Sequence, residues 1–272
     1  MKSELEKKKK KLEVIRKKFQ EAYKASTHQE SFRSWIQNGN WGIPLSAEEL
    51  IREGVLPDDA QRRVLQKQKN DIVLKNYFFA SLFDKAPFST EFMCEAHCCL
   101  FHQVMYFSGI YRTDDVYLHN TAIKIPPAYI VARKMHEMEE EYNNSPKNVL
   151  DILKLNYDIV TTQPFIDGNK TIARTMMNYE LLRRGYTPIL FSSKKDKESY
   201  LLSLENSFAG ESLTPFYQFM IDKMFSTAQI AFQVLDGQTP TAMPETEQAP
   251  KVITSHEIPV VSTSTEKENQ KN

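Results

Sequence analysis

Residues 162–174 read TQPFIDGNKTIAR, and this stretch decides how the rest of the chain is interpreted. An aromatic residue, an acid, a Gly-Asn turn and a basic residue lead into an amphipathic run over residues 172–184. Backbone N–H groups at the start of a helix lack an intrahelical acceptor, and the helix dipole there favours negative charge. Gly168 can take the positive φ that turns successive amides into a concave nest. The stretch therefore predicts a loop that delivers a phosphate to a helix N-terminus.

Charge and composition exclude several classes of partner. The chain has 272 residues with 35 basic and 35 acidic side chains, so no net field favours nucleic acid. This length predicts one substantial domain with appendages. No apolar run approaches the roughly 20 residues that a membrane span needs, and the charged N-terminus lacks the apolar segment of a signal peptide.

The three cysteines lie in one short run, at Cys94, Cys98 and Cys99. Residues so close on one helix cannot link distant parts of a fold, so a secreted disulfide framework is excluded. We expect a cytoplasmic protein. Translocation into a host cell, by a route that needs no signal peptide, stays open as an alternative.

The same run offers candidate metal ligands. Ser89 is a predicted N-cap that opens a helix to about residue 106. Side chains one turn apart on this helix include Cys94, His97, Cys98 and His102. Zinc sites usually draw their ligands from separated segments, and cysteine is among the most buried residue types. A core helix is therefore the favoured interpretation, and a metal site is the alternative.

Hydrophobic periodicity predicts a mainly α fold with one small β-hairpin. Residues 1–57 form a helical and irregular extension, whose lysines at 7–11 are a solvated helix face or, alternatively, a contact for phosphates. Residues 58–236 form the helical domain, with a core at about 90–224, and residues 237–272 are a disordered tail. The alternating segment 116–125 is the predicted hairpin. Ser145 and Pro146 are predicted to open the helix before the 162–174 loop, and Gly185 to end the helix after it.

Taken together, these stretches resemble the Fic family, whose signature is H-x-F-x-(D/E)-G-N-G-R-x-x-R. Phe165, Asp167, Gly168, Asn169 and Arg174 stand at matching positions. Residues 97–112, which end in Gly-Ile-Tyr-Arg, and the stretches LLRRGYTPILF and ESYLLSLENSFAGESLTPFYQFM also follow the family pattern. The resemblance covers about half the chain, roughly residues 90–224, and implies a Fic-type helical domain.

The resemblance implies the transfer of AMP from ATP to a hydroxyl side chain of a target protein. It makes Asp167 the Mg²⁺ ligand and Phe165 the buried anchor of the loop. It places the phosphates on Gly168, Asn169, Lys170 and Arg174. The segment 116–125 falls where the family has a flap that positions the target protein, with Val116, Tyr117, Leu118 and Ile123 as its candidate residues.

Two departures from the signature affect the chemistry. The catalytic base position is Gln163, and a primary amide has no pKa near neutrality, so it cannot accept the proton. General base catalysis is typically worth ~10²–10⁴-fold in rate. Lys170-Thr171 replaces Gly-Arg, which removes a planar bidentate donor. A lysine also occurs at the first of these positions in the related Doc toxins, which phosphorylate their target but keep the following arginine.

Three functions therefore stay open. The first is an adenylyltransferase with weak or altered activity, in which His119 or His136 could replace the base. The second is a pseudoenzyme that binds nucleotide or a protein partner, and the third is a structural interaction module. The inhibitory pattern (S/T)-x-x-x-E-(G/N) has no clean match in the sequence, and a separate inhibitory protein is the alternative source of inhibition.

Overall fold

The computed structural model describes residues 2–38, 58–81, 88–118, 121, 123–191 and 193–238. Within these ranges the chain forms nine α-helices. In chain order they are α1 Lys2–Ala25, α2 Gln29–Asn38, α3 Asp58–Ser81, α4 Thr90–Leu100, α5 Val131–Asn144, α6 Val149–Thr162, α7 Asn169–Arg183, α8 Lys194–Ala209 and α9 Thr214–Leu235. One 3₁₀ turn, Ala128–Ile130, precedes α5. The predicted mainly α class is confirmed.

Helix α7 is the centre of the fold. Twelve of its residues are buried, including polar ones, because α6 covers it along its length and α4 packs against it. Helices α8 and α9 pack against each other, and α1 and α2 pack against α9. None of the described helices combines the length and the apolar character that a membrane crossing requires.

The lysine-rich helix α1 contacts α9 through two of its lysines. Lys8 Nζ lies 2.6 Å from Asp222, and the Lys11 ammonium lies 5.0 Å from the centroid of the Phe225 ring. Both lysines therefore attach the helix to the domain. The predicted irregular part of the extension, residues 39–57, lies outside the described residues, and so does all but the start of the predicted tail.

Helix α4 begins as predicted but ends earlier. The Ser89 hydroxyl accepts a hydrogen bond of 3.1 Å from the Phe92 amide, which confirms the N-cap. The helix ends at Leu100 instead of at about residue 106. The Asn70 side chain of α3 donates to the carbonyls of Leu100 and His102, at 3.1 and 2.8 Å, and Gln103 takes a φ of 58°. A tertiary cap therefore ends the helix.

The ends of α6 and α7 give one wrong and one correct prediction. Helix α6 opens at Asn148, not at Ser145-Pro146, because Asn148 and Asp151 form a reciprocal capping box. Gly185, with a φ of 75°, follows the last turn of α7 as predicted. Its amide donates to Leu182 and the next amide donates to Leu181, which satisfies the final carbonyls.

The predicted hairpin over 116–125 is not confirmed. Its described residues, 116–118, 121 and 123–125, form no strand, and the predicted His-Asn turn at 119–120 lies outside the described part of the chain. An isolated two-stranded ribbon is marginal in water without a further strand or a helix to pack on. Instead, Ile123 is buried and Leu118 packs against the core, while Tyr117 is 81% exposed.

Candidate active site

Two residues in left-handed conformation reverse the chain between α6 and α7. Gln163 is the C-cap of α6 with a φ of 48°, and Gly168 is the N-cap of α7 with a φ of 80°. A Cβ atom at Gly168 would lie 2.2 Å from Cζ of Phe101, so only glycine fits there. Gly168 also makes no side-chain cap hydrogen bond to α7.

The Asn169 side chain closes the loop internally. Its Oδ1 accepts from the Phe165 amide at 2.8 Å, and its Nδ2 donates to the Phe165 carbonyl at 2.8 Å. The same Nδ2 donates to Oε1 of Gln163 at 3.0 Å. The Phe165 ring is fully buried, as the predicted anchor. The Asn169 side chain thus shapes the loop from within.

The Gln163 side chain, at the predicted base position, is held inside the loop. Its Nε2 donates to the Val160 carbonyl at 2.6 Å, while its Oε1 accepts from Asn169. The residue is only 6% exposed. Both polar atoms of the amide are therefore used to cap α6 and to hold Asn169.

His97 links α4 to the loop by stacking and by hydrogen bonds. Its ring stacks on Phe165, with centroids 3.8 Å apart, and on Phe101 at 4.5 Å. The Gly109 amide donates to Nδ1 at 2.8 Å, so the proton lies on Nε2, which donates to the Asp167 carbonyl at 3.0 Å. Burial lowers the pKa of His97 to about 4, so the ring is neutral.

The metal alternative on α4 finds no support in this geometry. Two of the four candidate ligands lie in different environments, because the His97 side chain is buried against the loop while Cys98 is exposed. No group of three metal-ligating side chains occurs within the described part of the chain.

Asp167 is exposed at the tip of the loop. Its Oδ1 accepts from the Gly168 amide at 2.6 Å, which fixes the carboxylate beside the start of α7. Mg²⁺ in nucleotide sites is usually held by one or two carboxylates, substrate phosphates and water, so a full protein cage is not required. An exposed carboxylate beside the start of a helix fits this ion.

The first turns of α7 supply two cations. Lys170 is half-buried, and its pKa is lowered by burial and by Arg174, while Asp167 and Glu205 oppose the shift. Arg174 is buried, with its guanidinium 5.4 Å from the Phe191 ring centroid and 5.5 Å from that of Tyr200. Thr171, at the position of the missing arginine, is buried, and its carbonyl accepts from Thr175.

Arg112 organises the site, and its role was not predicted from the sequence. Its buried guanidinium donates to the carbonyls of Gln163 at 2.6 Å, Asp114 at 2.9 Å, Pro126 at 2.5 Å and Thr162 at 3.4 Å. It therefore joins the end of α6 to both ends of the segment 116–125. His136 is exposed on α5, with Nε2 3.5 Å from Glu140, and His119 lies outside the described residues.

Comparison with known proteins assigns this arrangement to a family. Residues 87–181 match the Fic/DOC family. They form a Fic domain. The matched residues include α4, the loop between α6 and α7, and most of α7. The hydrogen bonds described above that shape the Fic loop therefore join matched residues.

Relatives and solved structures agree with this assignment. The chain is 30% identical over 158 residues to the protein adenylyltransferase Fic of Drosophila grimshawi, and 28% identical over 159 residues to that of Drosophila yakuba. Each alignment covers 56% of this chain but 32% and 31% of the relative, so the chain spans about a third of the length of these proteins.

Similar folds occur in solved Fic structures. Fic-1 (residues 134–508) from C. elegans has a TM-score of 0.65 at 18% identity, with 87% of this chain and 74% of that chain covered. A Fic family protein from Desulfovibrio desulfuricans has a TM-score of 0.62 at 18% identity, with 85% and 76% covered. At this identity the likeness shows the fold alone, and it extends beyond residues 87–181 to most of the chain.

Proposed function

We propose that this Fic protein binds ATP with Mg²⁺ at the loop between α6 and α7, and that it descends from adenylyltransferases but transfers AMP weakly or not at all. The names of its relatives and the retained cradle of Asp167, Gly168 and the start of α7 support nucleotide binding. Bound Mg²⁺ would neutralise phosphate charge beside Asp167. Three free cysteines within the described residues support a reducing compartment such as the cytoplasm.

Efficient transfer requires a proton acceptor, which the base position of this loop lacks. A target hydroxyl oxygen attacks the α-phosphorus of ATP, the bond to the β-phosphate oxygen breaks, pyrophosphate leaves, and the hydroxyl proton must be taken up. The amide of Gln163 cannot take that proton, and both its polar atoms are used by Val160 and Asn169. This locked amide is the observation that carries the proposal of weak or lost activity.

The target protein would dock along the segment 116–125. Tyr117 is exposed and Val116 half-buried, whereas Leu118 and Ile123 face the core. Arg112 fixes both ends of the segment through Asp114 and Pro126. A segment with anchored ends and an exposed tyrosine could pair its main chain with an extended peptide of the target.

Calorimetry and labelling test the two parts of this proposal separately. Titration with ATP and Mg²⁺ should release binding heat, and an absence of heat would overturn nucleotide binding. Gln163→His, alone and combined with Thr171→Arg, should then produce protein labelling from ATP radiolabelled at the α-phosphate. Histidine tolerates left-handed backbone, so the loop should keep its shape, which a thermal melt would check. An unchanged melt, ATP binding and no labelling in the double variant would refute adenylyltransferase ancestry of the site.

A pseudoenzyme is the second candidate function. The burial of the Gln163 amide favours it, because the residue serves the loop's structure and leaves no group at the base position that could titrate. The protein is identified as a pseudoenzyme if the wild type binds ATP but labels no protein, whereas the Gln163→His and Thr171→Arg double variant does label protein. A phosphotransferase, suggested by Lys170, would instead label proteins from ATP radiolabelled at the γ-phosphate.

A further inference from the structure

Lys67 on α3 lies close to the loop, although α3 lies outside the Fic/DOC match. Its ammonium is 4.5 Å from the centroid of the Phe101 ring. The edge of the same ring lies against Gly168, where an added Cβ would be 2.2 Å from Phe101 Cζ. A single aromatic ring therefore separates the Lys67 ammonium from the residue that begins α7.

Lys67 also belongs to the electrostatic environment of the loop. Burial lowers its pKa, Arg174 lowers it further, and Asp167 and Asp71 oppose the shift. Asp71 is already paired with Lys75, with 2.6 Å between carboxylate and ammonium. Lys67 and Lys170 are thus two partly desolvated cations that both feel the charge of Arg174. Asp167 raises the pKa of both lysines, but Lys67, Lys170 and Arg174 together outnumber this one carboxylate, so a bound anion would relieve their remaining positive charge.

We propose that Lys67 is a phosphate-binding residue that α3 adds to the Fic loop. It supplies a cation to the terminal phosphates of a nucleoside polyphosphate, on a loop whose signature arginine is Thr171. A lysine ammonium on a flexible stem suits this role, since it acts as a point charge and needs no fork geometry. The inference rests on the proposed function, because it assigns Lys67 as a further residue that binds the phosphates of the same nucleotide.

The test is calorimetric titration of the full chain with two probes, ATP with Mg²⁺ and inorganic tripolyphosphate with Mg²⁺. Lys67→Met should weaken both by on the order of tenfold, the usual effect of losing one charge-assisted hydrogen bond. Lys67→Arg should bind within about threefold of wild type, because it keeps the charge. Lys69→Met is the matched control, since Lys69 is exposed on the same helix, and it should bind as wild type does.

The outcomes separate the two inferences. If Lys67→Met leaves tripolyphosphate binding unchanged, the role of Lys67 is overturned, and the proposal of nucleotide binding is unaffected. Tripolyphosphate binding that depends on Lys67, with no ATP binding, supports Lys67 and overturns the nucleotide. Wild-type protein that binds neither probe refutes both. Equal losses in Lys67→Met and Lys67→Arg, with an unchanged thermal melt, would show that packing against Phe101 matters and the charge does not, which also overturns the proposal.

Discussion

Asn169 donates a hydrogen bond of 3.0 Å from its side chain to the side-chain oxygen of Gln163, across the reversal between α6 and α7. This contact ties the residue at the base position to the first residue of the helix that would hold the phosphates. The same asparagine also satisfies the amide and carbonyl of Phe165. The shape of the loop and the fixed position of the Gln163 amide therefore depend on the same asparagine.

Asn169→Ala should open the loop. It leaves the amide and carbonyl of Phe165 and the oxygen of Gln163 without their partner, and each buried unsatisfied group costs about 1–3 kcal/mol. We expect a loss of about 2–4 kcal/mol in the free energy of urea unfolding, together with weaker ATP binding. Asn148→Ala, which removes the N-cap of α6 far from the loop, should cost about 1 kcal/mol and leave ATP binding intact.

Gly168→Ala should destabilise the protein through backbone strain and through a clash. The left-handed conformation costs a residue with a Cβ about 1–2 kcal/mol, and overpacking against the Phe101 ring adds about 1–3 kcal/mol. Gly185→Ala is the matched control, because its φ is 75° and the three atoms nearest to its added Cβ all belong to the flexible Gln20 side chain. The control should show the strain alone. Equal losses for both variants in urea unfolding would contradict the role of Phe101.

The loop was predictable because its residues are contiguous. Asp167, Gly168 and Asn169 predict by their type and order a turn that opens a helix, and the helices on either side show clear periodicity. The caps at Ser89 and Gly185 were also predictable, because a cap is decided within a few residues.

The parts that the sequence did not predict depend on contacts between distant residues. Asn70, which lies on α3, caps the end of α4 through two hydrogen bonds. Helix α4 is therefore about a turn and a half shorter than predicted. His97 and Arg112 were visible in the sequence, but their hydrogen bonds to the loop cross 70 and 51 residues. Spacing cannot show such partners. The Asn148–Asp151 capping box, by contrast, was readable from local sequence, and the Ser-Pro pair before it was the wrong choice.

Arg112→Lys should be nearly as damaging as Arg112→Met. The guanidinium reaches four carbonyls at once, whereas a lysine ammonium is a single point of donation. We expect a loss of about 3–5 kcal/mol for the methionine variant and more than half of that for lysine, measured by urea unfolding. Arg133→Lys, whose side chain is 68% exposed, should change stability by less than about 0.5 kcal/mol. A lysine variant as stable as wild type would show that charge alone is needed at this position.

His97 should make the fold sensitive to acid. Its pKa is about 4 in the folded protein, below the ordinary value of 6.5, so the unfolded chain binds the proton more readily between these values. Stability from the neutral ring is fully present above pH 6.5 and is lost as the pH falls towards 4. At about 1.4 kcal/mol per pKa unit, the loss is on the order of 3 kcal/mol.

The measurement is the free energy of urea unfolding at several pH values for wild type and His97→Gln. The glutamine amide can still donate to the Asp167 carbonyl but does not titrate, so the variant should be less stable at pH 7. The difference between the two proteins should shrink as the pH approaches 4, because only the wild type loses the contribution of the neutral ring. His136→Gln, at an exposed position on α5, controls for the loss of an imidazole. A difference between wild type and His97→Gln that stays constant from pH 7 to 4 would mean that burial does not hold the His97 ring neutral.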